Sequence, residues 1–172
     1  MSGLIRLYTD GSCNVYQKTN ATGSGGWAYI FESDNLMVYD SGRIVECQPH
    51  TAELLAVIKA FRFASEHLEG RQVELITDNQ GNKGQLDRVR REGHLKEAKP
   101  EDVNSWDEVS ELIQSFELVN VRWEKRNSHP LLELCDRMAY TESRVQTYSV
   151  ETHVRVLSAE EFNKSKRGNK PI

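Results

Sequence analysis

Two apolar runs in this chain close with the same dipeptide, Thr-Asp. Leu4-Ile5-Arg6-Leu7-Tyr8-Thr9-Asp10 leads into Gly11-Ser12, and Val73-Glu74-Leu75-Ile76-Thr77-Asp78 leads into Asn79-Gln80-Gly81. Each run reads as a strand ended by a turn, so each sets a carboxylate at the carboxyl end of a strand. Two more acids stand near the starts of apolar helical segments, Glu53 in one and Asp136 in the other. Taken singly, these are turn formers, a charge at a helix N-terminus and a solvated helix face. Gathered at one point, four carboxylates repel strongly. A fold tolerates that only around positive charge, and hard oxygen ligands suit Mg²⁺.

The 172 residues, 38% apolar and 28% charged, fit one soluble globular domain with an appendage. We divide them into a catalytic domain at 1–143 and an extension at 144–172. No apolar run is long enough to span a bilayer, and the N-terminus lacks a basic-then-apolar signal pattern. The expectation is a cytoplasmic protein with no membrane partner. Cys13, Cys47 and Cys135 are odd in number and lack metal-ligand spacing, so they are expected as free thiols. Cys13 and Cys135 read as small packing residues. The net charge of -4 does not advertise a nucleic-acid binder. The charge is uneven, however, with basic residues concentrated after Asp78 (Lys83, Arg88, Arg90, Arg91, Lys96, Lys99) and in the extension.

Periodicity orders the elements as β-β-β-α-β-α-α-β-α. Strands are expected at about 3–10, 25–31 and 36–44, the first followed by a long polar loop, together forming an antiparallel meander. A helix follows over 51–67, with Leu54, Leu55, Ile58 and Phe61 in its apolar stripe. The strand at 73–77 returns through that helix, parallel to the first. Helices are expected at 80–91, 106–116 and 130–141, the second opened by a Ser105/Glu108 capping box, and a fifth strand at 119–123. The fold class is therefore α/β, a five-stranded mixed sheet flanked by helices. In the extension, residues 148–156 alternate like a half-buried strand. Ser158-Ala159-Glu160-Glu161 then suggests a short helix before a basic tail.

In such a sheet, ligands collect beyond the carboxyl ends of parallel strands. Asp10 and Asp78 are expected there, and the two helices can bring Glu53 and Asp136. Two Mg²⁺ ions about 4 Å apart would stabilise the attacking and leaving oxygens of a phosphodiester displacement. The chemistry this suits is metal-assisted hydrolysis of a nucleic-acid backbone.

The motifs in order are Tyr8-Thr9-Asp10-Gly11-Ser12-Cys13, Gly25-Gly26-Trp27-Ala28, Thr51-Ala52-Glu53-Leu54-Leu55-Ala56, Thr77-Asp78-Asn79-Gln80 and His129-Pro130…Glu133-Leu134-Cys135-Asp136-Arg137-Met138-Ala139. Over roughly residues 3–143 the chain resembles a type 1 ribonuclease H, on the ribonuclease H-like fold. The resemblance implies cleavage of the RNA strand of an RNA–DNA hybrid, leaving 3′-hydroxyl and 5′-phosphate ends. It implies two Mg²⁺ ions, for which Mn²⁺ can substitute. Asp10 would bridge both metals. Asp136 would join it on the ion that activates the attacking water, and Glu53 and Asp78 would hold the ion nearer the leaving oxygen. Glu53 also falls where the family meets the ribose 2′-hydroxyl. The main chain at Gly11, Ser12 and Cys13, and the turn at Asn79 and Gln80, match positions that hold the RNA strand. Arg88 and Arg91 are candidates for DNA-phosphate contact.

The chain also departs from the family. Arg126 stands where the family has a mobile loop His, and His129 is the only His in that loop. His129 is thus the candidate for a catalytic His, and Arg126 for a phosphate contact. Pro49-His50 replaces amide residues before Glu53, and Leu132 replaces an Asn of the last helix. The basic insertion between Leu86 and Pro100 is short, and the loop from Asn14 to Ser24 is long. Trp27, Trp106 and Trp123 read as core, Trp106 being the one to flank a groove if exposed. The alternative function is a non-catalytic or differently specific nucleic-acid-binding module on the same fold. A monomer is expected, with dimerisation through the extension as the other possibility.

Overall fold

The computed structural model describes residues 4–14, 23–67, 72–144 and the backbone of 155–157. β1 (Ile5–Cys13), β2 (Gly23–Glu32) and β3 (Met37–Cys47) form the expected meander, β1 and β3 each antiparallel to β2. α1 (Pro49–His67) then crosses the sheet. It delivers β4 (Gln72–Thr77) beside β1 and parallel to it, with Leu7 opposite Leu75. α2 (Gln80–Glu92) and α3 (Val103–Gln114) lead to β5 (Leu118–Trp123), which pairs parallel to β4, and α4 (Pro130–Arg144) follows. The five strands run β5-β4-β1-β2-β3, three antiparallel and two parallel, in agreement with the sequence reading.

From the extension, β6 (Arg155–Leu157) pairs antiparallel with β3 through Met37, Val38 and Tyr39, and makes a sixth strand. It falls at the end of the alternating run. The remainder of that run, the expected short helix and the basic tail lie outside the described residues.

Helices cover both faces of the sheet because strand residues alternate between two apolar sets. Ile5, Leu7, Phe31 and Leu75 face α1, α2 and α3 with Leu54, Phe61, Leu86 and Val109. Tyr8, Ala28, Ile30 and Ile76 face α4 with Leu131, Leu132 and Cys135. Local chemistry sets the helix ends. Asn79 caps α2 through a 3.0 Å bond from the Asn82 N–H. Gly93 ends it in the left-handed conformation (φ 74°), returning its N–H to Val89.

Several boundaries differ from expectation. α1 begins at Pro49, whose missing N–H costs nothing in a first turn. The Ser105/Glu108 box does not open α3. A 3₁₀ turn at Pro100–Asp102 starts the helix earlier, at Val103, and leaves Ser105 inside it. β1 and β3 run three residues beyond the expected ends, to Cys13 and Cys47. Among the described residues, no helix is long and apolar enough to cross a membrane.

Candidate active site

β1 and β4 run side by side as far as Tyr8 and Ile76, and in each the chain continues two residues on to an acid, Asp10 and Asp78, so the two are brought together. α1 closes on them because Gly11 lets it. A Cβ on Gly11 would lie 2.2 Å from the Glu53 nitrogen and 2.3 Å from the Ala52 carbonyl carbon, closer than any side chain permits. The Gly11 N–H and the Asn79 side chain both donate to the Glu53 carboxylate. One carboxylate oxygen from each of Asp10, Glu53 and Asp78 then lies within 4.8 Å of the others. Asp136, on α4, is outside that trio and more exposed, yet near enough to raise the proton affinity of Asp10.

Electrostatics shows what this arrangement lacks. Asp10 is 2% exposed, and neither carboxylate oxygen has a hydrogen-bond partner. Burial, then Glu53, Asp78 and Asp136, push its pKa far above the carboxylate range. Glu53 is raised as well, first by burial and then by Asp78, with Asn79, Gly11 and Arg126 pulling the other way. Orphaned buried oxygens surrounded by like charge fit a hard divalent cation, and an all-oxygen donor set fits Mg²⁺ or Mn²⁺ better than a thiophilic metal.

Among the described residues, one cation reaches this centre. Arg126 Nε is 2.7 Å from Asp78 Oδ2, and its Nη1 is 3.6 Å from Asp136 Oδ1. The loop that carries it is rooted on β4. Glu124 N–H donates to the Thr77 carbonyl (3.0 Å), and Trp123 Nε1–H to the Asp78 carbonyl (2.9 Å). A turn closed by Ser128 on Lys125, with Asn127 at φ 66°, then sets the arginine beside the acids.

His129 is placed differently. Its Nδ1 accepts the Leu131 N–H at 3.2 Å and so caps α4. Its ring stacks on Tyr8 at 4.7 Å between centroids, with Nε2 3.5 Å from the Tyr8 hydroxyl. The structure joins Arg126, and not His129, to the carboxylates.

The other expected contacts divide in two. Gly11 and Asn79 are engaged with Glu53, and Ser12 Oγ meets Ser143 Oγ of α4 at 3.3 Å. Gln80 and Arg88 line an open polar depression of about 420 Å³ with His50, Asn82 and Gln85. Arg91 is exposed on the same helix and bonds the Asp87 carbonyl. His50 is fixed by buried Asp102, at 3.0 Å. Trp27 and Trp106 are core residues, but Trp123 is 38% exposed and anchors the Asp78 main chain. Sequence reasoning missed that anchor. Its one sequence signal is a tryptophan closing the strand expected beside Asp78.

A family model described as RNase H matches residues 3–144. A ribonuclease H of Campylobacter curvus is 32% identical over 142 residues, covering 78% of this chain and 89% of the relative. A ribonuclease H of Campylobacter concisus is 28% identical, covering 81% and 92%. Among solved structures, LC9-RNase H1, a type 1 enzyme with a type 2 active-site motif, superposes with TM-score 0.70. It is 20% identical, and the match covers 96% of this chain and 82% of that one. LC11-RNase H1, solved in complex with an RNA/DNA hybrid, superposes at 0.64 with 16% identity, covering 81% and 96%. The motifs, the fold and these likenesses agree: the chain belongs to the ribonuclease H family and is a ribonuclease.

Proposed function

We propose that this ribonuclease hydrolyses the RNA strand of RNA–DNA hybrids in the cytoplasm, as a monomer, leaving 3′-hydroxyl and 5′-phosphate ends. The observation that carries the reading is the pair of buried, unpartnered Asp10 oxygens within a three-carboxylate cluster. Asp10, Glu53, Asp78 and Asp136 would hold two Mg²⁺ ions. Bound there, the ions would polarise the scissile phosphodiester and acidify the attacking water.

The remaining roles belong to the chain itself. Gly11 and Asn79 hold the Glu53 carboxylate, one oxygen of which lies within 4.8 Å of oxygens of Asp10 and Asp78. Arg126 balances the acids and offers a guanidinium to a phosphate entering between Asp78 and Asp136. The donor-rich depression lined by Gln80 and Arg88 adjoins Asn79, and so suits the strand beside the scissile linkage. Arg91 would add phosphate attraction farther along α2, and the main chain of Ser12 and Cys13 would support the RNA strand. LC11-RNase H1, with its bound RNA/DNA hybrid, supports the choice of substrate.

The deciding experiment compares labelled RNA–DNA hybrid, duplex RNA and duplex DNA, with Mg²⁺ or Mn²⁺, for the native chain and for Asp10→Asn. Hybrid-selective, metal-dependent cleavage that Asp10→Asn abolishes is expected. Absence of hybrid cleavage at every salt concentration would sink the proposal.

A further inference from the structure

Cys13 ends β1 three residues after Asp10, and Cys47 ends β3 six residues before Glu53. Although β2 runs between those strands, the two Sγ atoms are 3.2 Å apart. Gly25 of β2 makes the approach possible. It pairs with Cys13 across the sheet, and a Cβ there would lie 2.2 Å from Cys47 Sγ. The Cys13 thiol also points at the Cys47 carbonyl, 3.1 Å away. Both cysteines are free thiols. Two sulfurs held this close need to move together by only about 1 Å to reach disulfide bonding distance.

We propose that Cys13 and Cys47 form a reversible disulfide on reaction with a peroxide, and that this cross-link slows hydrolysis by shifting the segments that carry Asp10 and Glu53. Formation of the bond is independent of the function proposed above; its effect on turnover rests on that function.

Cys13 reacts first, because it is half-buried whereas Cys47 is 3% exposed. Burial and the neighbouring Cys13 also push the Cys47 thiol up to about 12, which disfavours its thiolate. The Cys13 sulfur attacks one peroxide oxygen. An S–O bond forms, the O–O bond breaks, and the thiol proton leaves with the departing water or alcohol. The Cys47 sulfur then attacks the Cys13 sulfenic acid. The S–S bond forms, the S–O bond breaks, and hydroxide departs as water with the Cys47 proton. Two thiols are oxidised by two electrons and one peroxide is reduced. Cys135 stays apart, fully buried on α4 and donating to the Tyr8 carbonyl.

Closure has to be absorbed near the catalytic acids. At Gly11, β1 and the start of α1 are already in backbone contact, so little slack exists there. Displacing a catalytic group by about 1 Å is enough to cost on the order of 100-fold in rate.

The test uses the full chain, reduced and then exposed to hydrogen peroxide, with alkylation, intact mass and peptide mapping. Hybrid cleavage is followed in parallel. We expect a loss of about 2 Da, a linked peptide joining Cys13 to Cys47, and turnover at least tenfold slower that dithiothreitol restores. Cys47→Ala and Cys47→Ser should give no linked peptide. A native chain that instead accumulates sulfinic acid at Cys13, or stays unlinked, overturns the proposal. So does a linked chain with unchanged turnover. If the linked peptide forms but the reduced chain cleaves no hybrid, the thiol pair stands and the proposed substrate falls.

Discussion

Arg126 Nε lies 2.7 Å from Asp78 Oδ2, so the strongest acid–base contact in the carboxylate centre is made by a loop residue, 48 positions from its partner. The same guanidinium reaches Asp136 on α4, at 3.6 Å. The planar guanidinium holds its donors in a rigid fork, so one side chain meets both carboxylates in a fixed geometry.

Removing that charge should therefore have opposite effects on metal and on substrate. For Arg126→Gln, titration calorimetry should show divalent-cation binding tightened about fivefold, roughly 1 kcal/mol for a partly solvated charge. kcat/KM on hybrid should fall about tenfold through loss of the phosphate contact. Weaker metal binding in the variant would show that the arginine assists the cation instead of competing with it.

The acids also fix how stability responds to pH. Asp10 is pushed up to about 9 and Glu53 to about 7, both above their ordinary values of 3.8 and 4.5. The folded chain thus holds these protons more tightly than the unfolded chain. Their contribution is complete below about pH 4 and is lost as pH rises through 7 toward 9. In chelator, Tm should fall across that window. Asp10→Asn should flatten the fall and raise Tm above native at pH 8, because a neutral amide is buried without the proton uptake that folding demands of Asp10. Added Mg²⁺ should restore the native chain, and more so at higher pH.

Gly11→Ala tests the close approach of β1 and α1. With 2.2 Å to the Glu53 nitrogen, the new methyl has to displace backbone. The expected cost is about 2–3 kcal/mol in urea unfolding, with turnover reduced at least 100-fold because Glu53 moves.

Asn79 has two separable tasks. Its oxygen caps α2, and its side chain also donates to Glu53. Asn79→Ala should lose both, at about 1 kcal/mol for the cap. Asn79→Asp should keep the cap and the stability of α2, yet place a like charge against Glu53 and lower hybrid cleavage. Equal activity in the two chains with the Asp variant fully active would show that the bond to Glu53 has no role.

His129→Ala should act mainly on stability. The lost helix cap and the lost stack on Tyr8 together predict about 1–2 kcal/mol, with kcat within threefold of native from pH 6 to 9. A larger loss of kcat with a displaced pH profile would assign His129 to proton transfer.

The sequence by itself determined the frame and its acids. The apolar runs that close at Asp10 and Asp78 read as strands that carry carboxylates toward one edge of the sheet. The helix between them made the second strand parallel to the first, and the matched motifs named the family. These signals are legible because they are local, arising from periodicities of two and 3.6 and from turn chemistry. What the chain does with its side chains was settled only by packing. Gly11 is a turn residue in sequence; in three dimensions it is the gap that admits α1 and the donor that holds Glu53. Arg126 and His129 are three positions apart in one loop, and sequence could not say which reaches the acids. The anchoring of Trp123 and Glu124 on β4 decides that, sending the arginine inward and leaving the histidine to cap α4. Cys13 and Cys47 look unrelated at 34 residues apart, and are brought together because a bare glycine on the strand between them leaves room for sulfur. Such relations depend on side chains meeting across elements, and that is fixed only when the sheet twists, the helices close on it, and each buried polar group finds its partner.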